Sequence, residues 1–155
     1  MRQHNLRILF FLLVLWGVAV ACSRREARFR IGVSQCSEDE WRRQMNSEIL
    51  REAHFYEDVE VDIRTAVDDN DRQAKDIREL IAEGVDLLIV APNEATPITP
   101  VVEEAYNRGI PVIVVDRKIL SDKYTAYVGA DNYEIGKAVG EYLSLIHISE
   151  PTRLD

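Results

Sequence analysis

The sequence predicts an α/β fold in which a doubly wound parallel sheet carries helices on both faces. Two observations predict this class. Short apolar runs alternate with amphipathic stretches from residue 29 to residue 142. The runs are uniformly rich in Val, Ile and Leu, as parallel strands buried on both faces are. The chain has 155 residues, enough for one domain with its own core.

Periodicity predicts the first two strands and helices. Phe29–Val33 is rich in branched apolar residues and predicts strand one, whereas Val59–Ile63 alternates apolar and acidic residues like an edge strand. Apolar residues of helix one recur at the helical interval: Trp41, Met45, Ile49 and Ala53. Helix two follows a polar turn at Asp68–Asp71 and ends at Gly84. Its apolar face consists of Ala74, Ile77, Leu80 and Ile81.

Two continuous apolar runs predict strands three and four. These runs are Val85–Val90 and Ile110–Val115. Thr99 followed by Pro100 predicts the start of the helix between them, because a capping residue and a first-turn proline mark helix starts. Gly109 is expected to end that helix.

The last elements complete a five-stranded sheet. Ala126–Val128 predicts strand five, and Asp131 with Glu134 has the spacing of a capping box that opens a final helix. Right-handed crossovers and the polar pattern of strand two predict the strand order 2-1-3-4-5. No internal repeat or low-complexity linker interrupts the pattern.

Residues 1–22 resemble an export signal. Basic residues precede an apolar run from Ile8 to Ala21, which would span roughly 21 Å as a helix and so fall short of the hydrocarbon layer. The run ends directly before Cys22 and resembles a lipoprotein signal, in which that cysteine is acylated. An ordinary signal peptide or an uncleaved anchor is the alternative. The remainder of the chain is therefore expected in the periplasm, anchored to the membrane.

Residues 143–155 are expected to be foreign to the protein. Leu143–Arg153 resembles the translation of a transposase adapter used to prepare DNA sequencing libraries. The alternative is a native amphipathic tail, but Pro151 and the polar residues around it stop the helix that Asp131 to Tyr142 build. On this interpretation the native domain covers residues 26–142, and His147 has no functional role.

Charge and cysteine content limit the function classes. The formal net charge of −8 repels phosphate backbones, so nucleic-acid binding is not expected. Cys22 and Cys36 could pair in an oxidising compartment, whereas Cys36 stays alone if Cys22 is acylated. Neither metal-ligand spacing nor a cofactor motif is found, so we expect no metal and no cofactor.

Two charged residues stand directly after predicted strand four. Ligands of open parallel sheets bind beyond the carboxyl ends of the strands, which places Asp116 and Arg117 at the rim of a cleft. A carboxylate accepts from hydroxyls, and a guanidinium donates through a rigid fork. The pair predicts a receptor for a small polar molecule, with simple capping of the strand end as the alternative.

Five sequence motifs occur together and in order. They are Ile31–Ser34, Asp68–Asp71, Gly84–Pro92, Gly109–Arg117 and Val128–Asn132. This combination resembles the amino-terminal lobe of the ribose-type (type 1) periplasmic sugar-binding proteins, over Phe29–Tyr142. In that family two lobes joined by a hinge enclose the sugar, and only one lobe is present here. The resemblance implies a small sugar as ligand and a missing carboxyl-terminal lobe as partner.

The resemblance also implies ligand residues. Asp116 and Arg117 match sugar-binding positions of the family. Trp41 matches an aromatic residue that stacks on the sugar, although a buried stripe on helix one would equally accommodate it. Ser34 lies at the end of strand one, and its hydroxyl is expected to bond either the ligand or a nearby backbone group.

Two family positions are changed in this sequence. Glu38 stands where relatives often carry an asparagine, which alters charge and donor capacity. Ala91 replaces a polar ligand, for which Asn93 two residues later is a candidate substitute. The identity of the sugar therefore does not follow from the resemblance.

A narrower resemblance concerns the parent protein. Gly32–Asn46 resembles the sensor region of hybrid two-component regulators of gut Bacteroidetes, where a membrane span, histidine kinase, receiver and DNA-binding module follow the sugar-binding domain. It favours a sensory ectodomain over the alternative, a lipid-anchored binding protein of a sugar ABC transporter. An enzyme such as a glycosidase is a distant third. The acids Glu38, Asp39 and Glu40 suit a helix start, and no catalytic constellation is evident.

Overall fold

The computed structural model describes residues 29–149. In this range five strands alternate with four helices. The strands are β1 (Phe29–Gln35), β2 (Val59–Thr65), β3 (Leu87–Ala91), β4 (Val112–Val115) and β5 (Ala126–Val128). The helices are α1 (Glu40–Ala53), α2 (Asn70–Ala82), α3 (Ala95–Asn107) and α4 (Asn132–Ser149). The signal segment 1–22 with Cys22, and residues 150–155, lie outside the described range.

The strands form one all-parallel sheet in the order β2-β1-β3-β4-β5. The predicted fold class and strand order are therefore confirmed. β2 lies at an edge of the sheet, and its polar residues Glu60, Asp62 and Arg64 agree with that position. Because all strands are parallel, their carboxyl ends meet at one rim.

The centre of one face of the sheet is covered by α2 and α3. An added Cβ on Gly32 would lie 3.1 Å from the side chain of Leu80, so α2 packs directly on the centre of the sheet. The core on this face is buried and apolar: Ile77, Leu80, Leu88, Val90, Ile98, Val101, Val102, Ala105, Val112 and Val114. Burial of this surface is the main stabilising contribution to the fold.

The opposite face carries α1 and is only partly covered. α1 packs over β1 and β2, where an apolar groove of about 330 Å³ remains beside Phe29, Ile49 and Tyr56. Strand alternation turns four residues of β3 and β4 to the α1 face: Leu87, Ile89, Ile113 and Val115. All four are half-buried, in contrast to their fully buried neighbours. The prediction of helices on both faces is confirmed, but their coverage is unequal.

Helix α4 lies apart from the core. Every side chain from residue 132 to residue 145 is exposed. These include large apolar side chains: Tyr133, Ile135, Val139, Tyr142, Leu143 and Leu145. The helix continues through Ser149, seven residues beyond Tyr142, so residues 143–149 extend it. No helix between residues 29 and 149 combines the length and apolarity that a membrane span requires.

The start predicted for the third helix is wrong. α3 begins at Ala95, one turn before Thr99, and Pro100 lies inside it. Pro97 explains the earlier start, because a proline within the first turn lacks an N–H that would be unpaired there anyway. Thr99 is not a cap: its hydroxyl donates to the carbonyl oxygen of Ala95 (2.7 Å), and its Oγ1 accepts from the Leu120 N–H.

Aspartates cap the starts of three helices. Asp39 precedes α1 and accepts from the Arg42 N–H, and Asp69 precedes α2 and accepts from the Arg72 N–H, both at 2.9 Å. Asp131 accepts from the N–H groups of the second and third residues of α4. The predicted capping role of Asp131 is therefore confirmed.

Candidate functional site

Asp116 lies at the carboxyl rim of the sheet, directly after β4. Its φ of 68° is in the left-handed region, which is unfavourable for a residue with a side chain. Its N–H donates to the Val128 carbonyl oxygen (2.9 Å), and its own carbonyl oxygen accepts from the Tyr127 hydroxyl (2.7 Å). The carboxylate is partly exposed and forms an ion pair with Arg42 (2.9 Å). Backbone strain of this kind is frequent at functional sites.

Arg42 is a site residue that the sequence prediction missed. It lies in the first turn of α1 and is 6 % exposed, although arginine is seldom buried. Its guanidinium binds Asp39 (2.8 Å) and Asp116 (2.9 Å), linking the start of α1 to the end of β4. Its Nε is buried and has no partner among the described residues. The available sequence signal was its position three residues after the capping Asp39.

Asp39 is held ionised at this rim. The hydroxyl of Ser37 and the backbone N–H of Arg42 donate to its carboxylate, and they lower its pKa from 3.8 to about 2. The Arg42 guanidinium adds to this effect. Asp39 therefore stays negative through the physiological range and keeps Arg42 oriented toward Asp116.

Arg117 is exposed and reaches across the rim toward β3. Its guanidinium donates to the carbonyl oxygen of Asn93, the second residue after the end of β3. Asn93 is half-buried, and its side-chain amide donates to the Asp68 carbonyl oxygen (3.2 Å) and to Asn70 (3.0 Å). Both the side chain and the backbone of Asn93 are therefore used in hydrogen bonds within the lobe, while Arg117 remains exposed to solvent.

Gln73 is a second residue that sequence reasoning missed. It lies in the first turns of α2 and is fully buried. Its side chain donates to the Ala91 carbonyl oxygen (2.9 Å) and to Ser34 (3.3 Å), and it accepts from the Asn93 N–H (2.9 Å). Gln73 therefore joins the ends of β1 and β3. Ser34 is 1 % exposed, and its hydroxyl oxygen accepts from this side chain.

Trp41 and Glu38 lie at the outer side of the rim. Trp41 is 53 % exposed, so it is not part of a buried stripe on α1. Its ring lies beneath the Arg42 guanidinium, 5.2 Å from ring centroid to Cζ, a cation–π arrangement. Glu38 is exposed, and its carbonyl oxygen accepts from Arg43 (2.6 Å). Both side chains are accessible to a ligand.

An open cavity of about 500 Å³ adjoins Asp116 and Arg117. Tyr127, Gly129 and the first turn of α4 complete its walls. Of the six predicted ligand residues, only Asp116 and Arg117 line this cavity, whereas Trp41, Ser34, Glu38 and Asn93 do not. Between residues 29 and 149, no group of three His, Cys, Asp or Glu side chains could hold a metal ion, and Cys36 is a buried free thiol.

The fold and this polar rim define an α/β lobe of the class that binds ligands beyond the carboxyl ends of its strands. A sequence model described as the periplasmic binding protein domain matches residues 31–145. The chain belongs to this family, and membership implies a periplasmic location.

Several known proteins are similar to the chain. The galactofuranose-binding protein of Escherichia coli is 35% identical over 137 residues, covering 85% of this chain and 43% of that protein. The ribose import binding protein of Bacillus subtilis is 31% identical over 86 residues, 56% of this chain and 28% of that protein. These relatives are named as binding proteins, not as enzymes. The chain spans less than half of the length of either.

Solved structures include a more similar protein. The fructose-binding periplasmic domain of a hybrid two-component system is 68% identical, with a TM-score of 0.73, and the match covers 76% of this chain and 39% of that one. A galactofuranose-binding protein is 32% identical, with a TM-score of 0.70, and the match covers 79% of this chain and 43% of that one. The predicted resemblance to one lobe of a sugar-binding protein is confirmed.

Proposed function

We propose that the chain is the first lobe of the sensory sugar-binding domain of a hybrid two-component regulator. The observation that carries this proposal is the 68% identity to a fructose-binding domain of such a system over three quarters of the chain. Fructose is accordingly the first sugar to test. The signalling modules would lie in the remainder of the parent protein.

The rim suits the chemistry of a monosaccharide. Sugar hydroxyls both donate and accept hydrogen bonds, and the C–H faces of the ring are apolar. Asp116 accepts, Arg117 donates, and both line the open cavity. Charge-assisted bonds of this kind have fixed geometry and about twice the strength of neutral ones. Trp41 exposes half of its surface and offers a stacking face for the ring.

Tight ligand binding in this proposal requires a second lobe, whereas one lobe alone should still bind sugar at millimolar concentrations. The chain covers 39% of the similar fructose-binding domain, so most of such a domain would lie outside it. A ligand favours a closed state only through contacts that the open state lacks. A single lobe offers only its own contacts, and we expect it to bind sugar weakly. Membrane attachment would come from acylated Cys22 or from a later membrane span.

A transporter-linked binding protein is the second candidate. The ribose import binding protein and the galactofuranose-binding protein support it, because they share the same lobe. The native gene beyond Tyr142 discriminates the two. A span of about twenty apolar residues after a second lobe favours the sensor, whereas a chain that stops after that lobe favours the transporter. An enzyme such as a glycosidase remains the least supported reading, because Glu38 and Glu40 are exposed outside the cavity.

The proposal is tested by NMR titration of the ¹⁵N-labelled chain with D-fructose, D-ribose and D-galactose at millimolar concentrations. We expect chemical-shift changes at Arg117, Asp116 and the Trp41 indole, largest for fructose. Arg117→Ala should reduce the apparent affinity at least tenfold, because one charge-assisted donor pair is lost. The matched control is Arg108→Ala, an exposed arginine paired with Glu104 on α3. Absence of rim shifts with every sugar, or equal responses of the two arginine variants, would refute the proposal.

A further inference from the structure

Asp116 adopts a backbone conformation that most residues with a side chain avoid. A left-handed φ of 68° is a position where glycine is ordinarily found. Asp116 is not a glycine, and its carboxylate is the group that the proposed function requires. Residues held in such regions persist only where neighbouring contacts determine them. Arg42 binds the Asp116 carboxylate (2.9 Å), whereas the backbone conformation depends on contacts of the main-chain groups.

Strand β5 holds both backbone groups of Asp116. Its N–H donates to the Val128 carbonyl oxygen, which extends the parallel pairing of β4 with β5. Its carbonyl oxygen accepts from the Tyr127 hydroxyl at 2.7 Å. The first contact is an ordinary sheet bond available to any residue. The second depends on one side chain, and that side chain lines the same cavity as Asp116.

Gly129 makes the tyrosine contact possible. A Cβ added at Gly129 would lie 2.2 Å from the Tyr127 hydroxyl oxygen and 2.5 Å from its Cζ, far inside contact distance. It would also lie 3.1 Å from the Asp116 carbonyl oxygen. The φ of Gly129 is not in the left-handed region, so conformational freedom does not explain the glycine. The glycine is explained by space, because any side chain at residue 129 would overlap the hydroxyl end of the Tyr127 ring.

We propose that Tyr127 and Gly129 are positioning residues that act together to orient the Asp116 carboxylate. The hydroxyl fixes the carbonyl of Asp116, and the missing side chain at residue 129 admits the hydroxyl. The inference rests on the proposed function, because the orientation of Asp116 matters only where its carboxylate binds the sugar. Lys118, whose Nζ lies 5.0 Å from the Tyr127 ring centroid, further holds the ring in place.

The test is a double-mutant cycle of Tyr127→Phe and Gly129→Ala. Each single variant should weaken fructose binding about threefold to tenfold, the effect of one lost hydrogen bond. The double variant should bind fructose no more weakly than the weaker-binding single variant, because both changes remove the same contact. Tyr106→Phe and Gly140→Ala are matched controls: Tyr106 is exposed on α3, and an added Cβ at Gly140 contacts nothing within 4 Å.

A spectroscopic measurement separates positioning from general stability. The amide-to-Hα NOE within a residue is strong only when φ is positive, so Asp116 should show a strong cross-peak in the unaltered chain. The cross-peak should weaken in Tyr127→Phe and Gly129→Ala, while circular dichroism stays native. A retained cross-peak in Tyr127→Phe, or fully additive losses of affinity, overturns the inference.

Failure of the proposed function would look different. If the unaltered chain binds none of the sugars, the function falls, yet the NOE measurement still decides whether Tyr127 and Gly129 hold Asp116. If Asp116→Asn abolishes fructose binding while Tyr127→Phe leaves both affinity and NOE unchanged, the function stands and the inference falls.

Discussion

Helices α2 and α4 both carry apolar side chains, but among those that the structure describes only the ones on α2 are buried. α2 has 13 residues and buries Gln73, Ile77, Leu80 and Ile81 against the sheet and α3. α4 has 18 residues and is the more apolar of the two, yet all of its side chains up to residue 145 are exposed.

The difference shows what amphipathic periodicity specifies. A repeat of apolar residues indicates that a helix is to be covered, but it does not identify the covering surface. For α2 the covering surface, β1, β3 and α3, lies within the described residues. For α4 no such surface is found between residues 29 and 149. We therefore expect substitutions in α2 to lower the free energy of unfolding more than substitutions in α4.

A pair of isoleucine truncations gives the largest expected contrast. Ile77 on α2 is fully buried, and Ile135 on α4 is 51% exposed. Ile77→Ala should lower the free energy of unfolding by about 2–5 kcal/mol, because it leaves a cavity. Ile135→Ala should change it by less than about 0.5 kcal/mol. Urea unfolding followed by circular dichroism measures both, and similar losses would mean that α4 is packed after all.

A buried polar residue extends the comparison to hydrogen bonds. Gln73→Leu removes the group that satisfies the Asn93 N–H, the Ala91 carbonyl oxygen and Ser34. We expect a loss of about 1–3 kcal/mol, the cost of leaving buried polar groups unpaired. The exposed Gln44, which bonds Glu48 on α1, provides the control Gln44→Leu. Equal unfolding midpoints for the two variants would contradict the role of Gln73.

The capping aspartates give the smallest contrast. Asp69→Ala should cost about 1 kcal/mol of global stability, because α2 folds together with the core. Asp131→Ala should reduce helical content in α4 but leave the cooperative unfolding midpoint unchanged. Hydrogen exchange of the α2 and α4 amides separates the two effects. If Asp131→Ala lowered the unfolding midpoint as much as Asp69→Ala does, α4 would unfold together with the core.

Most of the fold could be predicted because strand and helix periods were unambiguous. The polar alternation at Glu60 and Asp62 placed β2 at an edge, and crossover handedness then determined the order. The start of α3 was misplaced because Pro97 and Pro100 both suit a first turn, and the sequence does not choose between them. The exposure of α4 was also missed, because periodicity carries no information about distant surfaces.

The candidate site was only partly predictable. Asp116 and Arg117 could be placed at the rim, because the apolar run before them ends so clearly. Arg42 stands next to Arg43 in sequence, and only the helix start at Asp39 determines which of the two turns inward. Gln73 was missed because a glutamine in a helix is ordinarily exposed, and its partners lie 18 to 39 residues away in sequence.

The half-buried apolar residues on the α1 side of β3 and β4 affect how the protein can be studied. Leu87, Ile89, Ile113 and Val115 are half-buried, so part of their apolar surface remains in contact with solvent in the folded state. Fluorescent dyes that brighten in nonpolar surroundings bind such surfaces. A dye-based melting assay would consequently start from a bright native baseline and obscure the transition, so unfolding of this chain is better followed by an intrinsic optical signal.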